Sequence, residues 1–197
     1  MGIQATSHPI DNLHPHRPLF TDLLRARHRT FIQQARWDLP QADGMEFDQY
    51  DTPASRWVAV HEYGRILAGV RLTPTTHRCG IYTYMIRDAQ QGLLGSIPQD
   101  LMFDEAPVAD HVWEGSRVFV CDDVPAAMRV RVQAQLMSQM VSTGRELGAT
   151  SILAIVPTSS ARLARRLDLE WTPVGPVRDI DGVDCVCVRS SMAAKMH

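Results

Sequence analysis

Apolar residues recur at helical spacing in two long stretches of this chain. In the first, residues 21–36, they lie along one face of a predicted helix. The second helix is predicted to begin near Pro125 and to run to about Leu147, where Gly148 stops it. Its apolar stripe consists of Met128, Val132, Leu136, Met137, Met140 and Val141. We interpret the methionines as core residues, and a flexible acyl-binding surface is the less favoured alternative.

Short apolar runs with the length and composition of strands fill much of the remaining chain. Two pairs of them form predicted hairpins, with turns at Tyr63-Gly64 and at the favoured turn dipeptide Asp181-Gly182. Strands and helices alternate in the second half, which predicts a single twisted sheet covered by helices. The predicted strands are residues 57–61, 66–72, 112–121, 151–156, 177–180 and 183–188, and the short helices are 86–94 and 159–167.

Two segments show no clean period. Residues 1–20 contain three histidines among three prolines, and we expect a mobile N-terminal segment there rather than a metal site. Residues 37–56 are rich in Asp, Pro and Gly but also hold several aromatic residues. Because those aromatic side chains favour burial, we expect an ordered loop rather than a linker.

Composition fits one globular domain over residues 1–197. The chain is long enough to bury a substantial core, with 45% apolar and 21% charged residues. A net charge of −2 gives no overall reason to expect nucleic acid as a partner. Neither an 18-residue apolar run nor a signal peptide is visible, so we expect a cytoplasmic protein without membrane association. The four cysteines lack CxxC spacing, which favours reduced thiols.

Acidic residues alternate with apolar residues in the irregular stretch from Met45 to Asp51. Its carboxylates are Glu46, Asp48 and Asp51. They need cationic partners or water, and arginine pairs with carboxylates in a bidentate fashion better than lysine does. Candidate partners that lie in or beside apolar segments are Arg27, Arg71 and Arg117. A solvated acidic loop is the usual alternative for such a run, and it is weakened by the apolar residues between the carboxylates and by the apolar surroundings of each arginine. An arginine inside a strand, such as Arg71, is either on the solvent face or paired at a site, and the residues alone leave these two interpretations evenly matched.

Glu114 and Arg117 lie in the same predicted strand. Side-chain alternation places Glu114 and Ser116 on one face and Arg117 on the other. A β-bulge, with which Gly115 is compatible, would break that alternation and can bring Glu114 and Arg117 together. The structural alternative is an ordinary cross-strand ion network. A functional Glu114 would be a general base or a carboxylate that orients an amine.

Several arginines lie off the apolar stripe of the second long helix and on the short helix that follows. They are Arg129, Arg131, Arg162, Arg165 and Arg166. Solvated helix faces usually have this composition. The functional alternative is a docking site for an acidic carrier protein, which would attract that partner electrostatically.

Four short motifs in a fixed order resemble the LuxI-type acyl-homoserine lactone synthases, which make bacterial quorum-sensing signals. The motifs are Arg27-x-x-x-Phe31 with Trp37 beyond it, Met45-Glu46-Phe47-Asp48-Gln49-Tyr50-Asp51, Val70-Arg71-Leu72 and Trp113-Glu114-Gly115-Ser116-Arg117. The resemblance is position by position over residues 25–120 and rests on element order beyond them. It implies an α/β fold, a single three-layer α-β-α domain with a mixed twisted sheet, similar to the GCN5-related N-acetyltransferases.

The resemblance also implies a reaction. An acyl chain passes from acyl carrier protein, or from acyl-CoA, to the amine of S-adenosylmethionine, with lactonisation and release of methylthioadenosine. S-adenosylmethionine is a substrate, and no cofactor or metal is implied. Its amine has an ordinary pKa of about 8, so a weak base suffices. Glu114, acting through water, is the implied base, and Ser116 is grouped with it as catalytic. The implied S-adenosylmethionine-binding residues are Arg27, Phe31, Trp37, Asp48, Asp51, Arg71 and Arg117.

This chain departs from the family pattern in three places. Val118 stands where a phenylalanine is usual, Gly115 replaces a bulkier residue, and the connection at residues 76–83 is longer. We take these differences to affect selection of the acyl chain and not the reaction.

Two other functions remain as alternatives. An ordinary acetyltransferase on the same fold would need a glycine-rich pyrophosphate loop, but residues 120–126 are acidic and contain no glycine. A non-catalytic module that binds acyl carrier protein or S-adenosylmethionine would be favoured by loss of Glu114 or of the paired aspartates, and all are present. Acyl chain length, the choice of donor and the oligomeric state do not follow from the residues.

Overall fold

A computed structural model describes residues 2–9 and 17–192 of the chain. Its helices are α1 (Arg17–Arg27), α2 (Met85–Gln90), α3 (Ala126–Glu146) and α4 (Ala161–Arg166), with a π-helical segment at His28–Gln34 and a 3₁₀ turn at Thr158–Ser160. Its strands are β1 (Gln4–Pro9), β2 (Gln41–Ala42), β3 (Met45–Glu46), β4 (Arg56–Glu62), β5 (Arg65–Pro74), β6 (Val112–Val120), β7 (Ser151–Pro157), β8 (Trp171–Pro173), β9 (Arg178–Ile180) and β10 (Val183–Ser191).

The chain divides into two compact units. The first comprises Met1–Leu72 and Arg117–Thr143, and the second comprises Thr73–Ser116 and Gly144–His197. Strand β6 contributes its last residues to the first unit and its first residues to the second. The expectation of a single domain stays a prediction.

The first unit contains an antiparallel arrangement of β1, β4 and β5. Trp57 on β4 lies opposite Arg71 on β5. The turn between these two strands has left-handed backbone at Tyr63 (φ 50°) and Gly64 (φ 83°), as a two-residue hairpin turn requires. The predicted hairpin is therefore confirmed, and it places Arg71 in the middle of a strand whose side chains are buried.

Strand β1 was not expected from the sequence. Gln4–Pro9 pairs antiparallel with β4, with Gln4 opposite His61. The prediction of a mobile segment over residues 1–20 is therefore wrong for Gln4–Pro9, because the backbone groups of these residues find partners on the neighbouring strand. It is also wrong for residues 17–20, which form the start of α1. The rest of that prediction at Met1 and at residues 10–16, with two of its three histidines, lies outside the described residues.

The first predicted helix changes its winding partway along. Helix α1 gives way to the π-helical segment at His28, which ends before Arg36 adopts a left-handed backbone (φ 58°). π-Helical turns are rare and often occur at functional sites. The segment contains Phe31, which is buried.

Helix α3 follows the predicted pattern. It ends at Glu146, and the N–H of Gly148, with left-handed backbone (φ 79°), donates to the carbonyl of Arg145. Four residues of the predicted stripe are almost fully buried, namely Val132, Leu136, Met137 and Met140. The interpretation of its methionines as core residues is therefore confirmed for Met137 and Met140.

The second unit contains a mixed sheet. β6 and β7 run parallel, with Val112 beside Ser151, while β10 pairs antiparallel with β7, β8 and β9. α2 contributes to an apolar core in this unit formed by Tyr84, Ile86, Ala89, Leu101, Met102, Ala106, Val112, Leu153 and Cys187. Cys185 and Cys187 are both buried, as expected for residues that share one strand face.

The two short predicted helices are present but shorter than expected. α2 ends at Gln90, and the predicted residues 159–167 divide into the 3₁₀ turn and α4. Neither these nor any other helix in the two described ranges combines the length and the apolar character needed to cross a membrane.

Candidate functional site

Three arginines and three carboxylates form one buried ion network in the first unit. Its members, called the arginine–carboxylate network below, are Arg27, Glu46, Asp48, Asp51, Arg71 and Arg117. No side chain of the network is more than 9% exposed. Positive and negative charges balance, which is the condition under which buried ions are tolerated. The solvated acidic loop is therefore ruled out for these residues.

Arg27 lies at the last position of α1 and binds two carboxylates. Its Nε donates to Glu46 Oε2 at 2.5 Å, while Nη1 and Nη2 donate to the carboxylate oxygens of Asp51 at 3.0–3.2 Å. This bidentate contact to Asp51 uses the planar fork of the guanidinium. The Arg27 guanidinium also lies 4.5 Å from the ring centroid of Trp57, so its remaining face is covered by an aromatic surface.

Arg71 on β5 makes a second two-point contact, to Asp48. Nη1 donates to Asp48 Oδ1 at 2.5 Å and Nη2 to Oδ2 at 3.2 Å, and Nη1 also lies 3.1 Å from Asp51 Oδ1. Burial raises the pKa of Asp48, but the positive charges of Arg71 and Arg117 outweigh that effect and lower it to about 2. Asp48 is therefore ionised at neutral pH.

Arg117 completes the network from β6. Its Nε donates to Glu46 Oε1 at 3.2 Å and its Nη2 to Asp48 Oδ2 at 2.8 Å. Its backbone is left-handed (φ 54°), which is unfavourable for a residue with a Cβ and persists only where the surroundings impose it. A β-bulge was considered possible at Gly115, but the left-handed backbone in this strand lies at Arg117.

The acidic stretch is held in shape by its own backbone. The N–H of Asp48 donates to Asp51 Oδ2 at 2.8 Å, and the N–H of Asp51 donates to the Asp48 carbonyl at 3.0 Å. The N–H of Tyr50 donates to Asp48 Oδ1 at 2.9 Å. These contacts close a tight turn, which aims both aspartates at the arginines.

Aromatic side chains cover the network. Phe31 stacks on Trp37 with ring centroids 5.1 Å apart and meets Phe119 edge-on at 5.9 Å. The Arg117 guanidinium lies 5.7 Å from the Phe31 ring. The motif residues Phe31 and Trp37 are therefore brought into contact with each other and, through Arg117, with the ions.

Two aromatic residues of the site, Trp57 and Phe119, are not among the predicted site residues. Trp57 could have been predicted as a site residue, because the predicted hairpin places it opposite Arg71. The family pattern has a phenylalanine at the position of Val118, but here the buried phenylalanine is Phe119, which packs against Phe31. The left-handed backbone at Arg117 changes which side chains of this strand face inward. Val118 is 43% exposed, whereas Phe119 is 4% exposed.

Glu114 and Ser116 lie in the second unit, where both are buried. Glu114 Oε1 accepts the N–H of Ile86 at 2.7 Å and Oε2 accepts the N–H of Met85 at 3.2 Å. Glu114 thus binds two of the backbone donors that the start of α2 leaves without helical partners. Burial, with a further contribution from Glu114, raises the pKa of the Cys187 thiol to about 12.

The arginines considered for carrier-protein docking differ in their surroundings. Arg129 is half-buried and its Nη1 donates to the Cys121 carbonyl at 3.1 Å, whereas Arg131 is exposed. In the second unit, Arg162, Arg165 and Arg166 are exposed on α4. Arg162 and Arg165 line a cavity of about 310 Å³ together with Thr158, Ser159 and Ala161. Docking there stays a prediction.

The fold of this chain is also found in a solved structure of very different sequence. An acyl-CoA N-acyltransferase from Pseudomonas aeruginosa has the same fold, with a TM-score of 0.63 over 95% of this chain and 99% of that chain at 14% identity. The predicted mixed α/β fold, similar to that of N-acetyltransferases, is therefore confirmed.

Relatives of higher sequence identity show the family. The autoinducer synthase family model matches residues 12–184. An acyl-homoserine-lactone synthase from Ralstonia solanacearum is 30% identical over 167 residues, which cover 81% of this chain and 76% of that protein. TofI, solved in a ternary complex with an inhibitor and MTA, is similar with a TM-score of 0.78 and 27% identity over 98% of this chain and 93% of that chain.

The chain belongs to the autoinducer synthase family and is an acyl-homoserine-lactone synthase, an acyltransferase. The resemblance that the four motifs indicated is confirmed, and so is the predicted activity.

Proposed function

We propose that this enzyme joins an acyl chain from acyl carrier protein, or from acyl-CoA, to the amine of S-adenosylmethionine. The amine attacks the thioester carbonyl, and the thiol of the donor leaves. The methionyl carboxylate then attacks its own γ-carbon, and the C–S bond to the sulfonium breaks with release of methylthioadenosine. Both substrates carry their own leaving groups, so the reaction requires no further cofactor.

The arginine–carboxylate network is the observation that carries this proposal. All five charged residues assigned to S-adenosylmethionine by the resemblance lie in it, namely Arg27, Asp48, Asp51, Arg71 and Arg117. Because the network is neutral as a whole, it can accept a ligand with both an ammonium and a carboxylate without a large unbalanced charge. Phe31 and Trp37 offer aromatic faces, from which a sulfonium would gain about 0.5–2 kcal/mol.

Glu114 is our candidate for the base. Its two oxygens each accept one backbone N–H, which holds the carboxylate in one orientation. A carboxylate held in this way can act as a general base, so we propose that Glu114 receives the proton of the amine through water. Ser116, buried on the same strand, is grouped with it as catalytic.

Substitution Glu114→Gln tests this role. We expect turnover to fall by about 10²–10⁴-fold, since a positioned base contributes that much. Affinity for S-adenosylmethionine, measured by calorimetry, should change much less. Thermal denaturation serves as the control for folding, because glutamine keeps only one oxygen for the two N–H donors. Unchanged turnover would show that Glu114 is not the base.

The acyl donor is proposed to dock on the exposed arginines of α4, with Arg129 and Arg131 as further candidates. Acyl carrier proteins are acidic, so a basic surface would speed their association. We place the reaction in the cytoplasm, where S-adenosylmethionine and acyl thioesters are made.

The direct test is product analysis with purified enzyme. S-adenosylmethionine is incubated with acyl carrier protein or coenzyme A carrying acyl chains of several lengths, and the products are analysed by mass spectrometry. We expect ions that yield the homoserine lactone fragment, together with an equal amount of methylthioadenosine. Acyl transfer without lactone or methylthioadenosine would instead point to an N-acyltransferase acting on another amine, and binding without turnover would point to a non-catalytic module.

A further inference from the structure

The turn that leads into α2 is held by two buried carboxylates. Glu114 on β6 accepts the N–H groups of Met85 and Ile86, as described above. Asp88, four residues beyond Tyr84, accepts the N–H of Thr83 at 3.0–3.1 Å and the Thr83 hydroxyl at 2.6 Å. One carboxylate therefore binds the turn from the neighbouring strand and the other from within the helix.

Tyr84 lies between the two attachment points and is itself fixed. Its side chain belongs to the core of the second unit, and its hydroxyl donates to the Pro107 carbonyl at 2.6 Å. Every residue from Thr83 to Ile86 thus makes at least one specific hydrogen bond. Asp88 and Glu114 are 0% exposed, so neither carboxylate can replace a lost protein partner with bulk water.

The N–H groups of Met85 and Ile86 set the orientation of Glu114. They belong to a six-residue helix, which is too short to be rigid by itself. Its first turn also has no side-chain cap at Tyr84. Asp88 restrains the chain at Thr83, the residue before Tyr84, through its hydrogen bonds to the Thr83 N–H and hydroxyl. These bonds fix the direction in which the N–H groups of Met85 and Ile86 point.

We infer that Asp88 is a positioning residue for the reaction, which acts through Thr83 and the start of α2 to orient Glu114. The inference rests on the proposed role of Glu114 as the base. Asp88 needs no contact with substrate in this scheme. Loss of its bond to Thr83 would allow the Glu114 carboxylate to rotate out of its productive orientation.

Thr83→Val is the most selective test. Valine has nearly the same shape as threonine but lacks the hydroxyl, and the N–H of residue 83 can still bind Asp88. We expect kcat to fall about ten- to a hundredfold, since small misplacements of a catalytic group cost that much. KM for S-adenosylmethionine should stay within about twofold, because its proposed binding residues are not altered. Thr83→Ser keeps the hydroxyl and should restore kcat.

Two further variants complete the set. Asp88→Asn should lower kcat at least as much as Thr83→Val, and both should shift the pH dependence of kcat, because the environment of the base changes. Asp104→Asn removes an exposed carboxylate from the same unit and should leave kcat and its pH profile unchanged.

The outcomes separate this inference from the proposed function. Lactone formation by the unaltered enzyme and its loss in Glu114→Gln test the proposed function. Wild-type kcat and pH profile in both Thr83→Val and Asp88→Asn would overturn the positioning role of Asp88. So would loss of the folded state in both variants, judged by circular dichroism, because the bond would then serve the fold and not Glu114.

Discussion

At the scale of single residues, the most demanding feature is the set of six buried charges in the first unit. A buried ion is stable only when its charge is matched and its hydrogen-bonding positions are filled. Arg27 and Arg71 are 0% exposed, and each of them contacts two carboxylates. Removing one member therefore does more than delete one contact, because it leaves an opposite charge buried without a full set of partners.

Asp48→Asn should destabilise the protein and weaken S-adenosylmethionine binding. We expect the free energy of unfolding to fall by about 3–5 kcal/mol, the usual cost of breaking a buried ion pair on one side. Urea denaturation measures the stability, and calorimetry measures the affinity.

Asp22→Asn is the matched control for this change. Asp22 pairs with Arg25 at 3.2 Å on the surface, where both side chains are about half exposed. An exposed pair contributes about 0–1 kcal/mol, so this variant should be near neutral. If Asp48→Asn were equally mild and bound S-adenosylmethionine normally, the network would not be needed for that substrate.

His61 supplies a pH-dependent contribution to stability. It is 8% exposed, and neither ring nitrogen has a hydrogen-bond partner among the described residues. Burial lowers its pKa, so the unfolded chain takes up a proton on His61 more readily than the folded chain does. The free energy of unfolding should therefore decrease as the pH falls below about 6.5, the ordinary histidine pKa.

His61→Leu should remove that dependence. The apolar side chain has no proton to bind and leaves no buried nitrogen without a partner. Urea denaturation between pH 5.0 and pH 7.5 gives the comparison. An equally steep decline in the variant would assign the pH dependence to another group.

At the scale of elements, the helices and strands follow the hydrophobic pattern except where tertiary contacts override it. The first predicted helix changes to π-helical winding at His28, and Phe31 in that segment stacks on Trp37. β6 is interrupted by left-handed backbone at Arg117, whose side chain binds Glu46 and Asp48. Both irregularities lie at residues that build the candidate site. Functional sites are where the backbone is expected to depart from the conformation that the local sequence prefers.

Gly69 on β5 marks a close approach between elements of the first unit. A Cβ at this position would lie 2.7 Å from Leu23 Cδ1 and 2.8 Å from Phe119 Cε1. We expect Gly69→Ala to lower the free energy of unfolding by about 1–3 kcal/mol through overpacking.

Gly95→Ala provides the comparison in the same chain. Gly95 is exposed, and a Cβ there would meet nothing within 4 Å. Its unfolding midpoint in urea should match that of the unaltered protein. Equal midpoints for the two alanine variants would mean that the packing around Gly69 relaxes without cost.

At the scale of the whole molecule, the fold is shared with an N-acyltransferase of very different sequence. The N-acyltransferase from Pseudomonas aeruginosa is similar over 95% of the chain although only 14% of residues are identical. A fold alone does not specify a reaction. The family motifs in this chain supply Arg27, the 45–51 stretch, Arg71 and Arg117, and the first unit brings them into one network.

Reversal of Arg162, Arg165 and Arg166 to glutamate should raise the apparent KM for acyl carrier protein. The effect should shrink as salt increases, because surface charges are screened beyond about 8 Å at 0.15 M ionic strength. Steady-state kinetics at low and high salt measure it, with Arg78→Glu, another exposed arginine, as the control. An unchanged KM at both salt concentrations would show that these arginines form an ordinary solvated helix face and do not bind the carrier protein.

The sequence by itself determined the features that depend on short-range interactions. The hairpin turn at Tyr63-Gly64, the end of α3 at Gly148 and the turn at Asp181-Gly182 all follow from backbone preferences of a few adjacent residues. The charged residues of the site were also predicted, because carboxylates interleaved with apolar residues favour cationic partners over water, and the resemblance to the family indicated which arginines these are.

Only the tertiary structure decided how those groups pair. Arg27 meets Glu46 across 19 positions, and Arg117 meets Glu46 across 71. No local pattern specifies which carboxylate an arginine faces at such separations. The left-handed turn at Arg117, the strand at Gln4–Pro9 and the use of Glu114 to hold the start of α2 have the same origin. Each local segment there adopts a conformation, or finds a partner, that is favourable only once distant parts of the chain have come together.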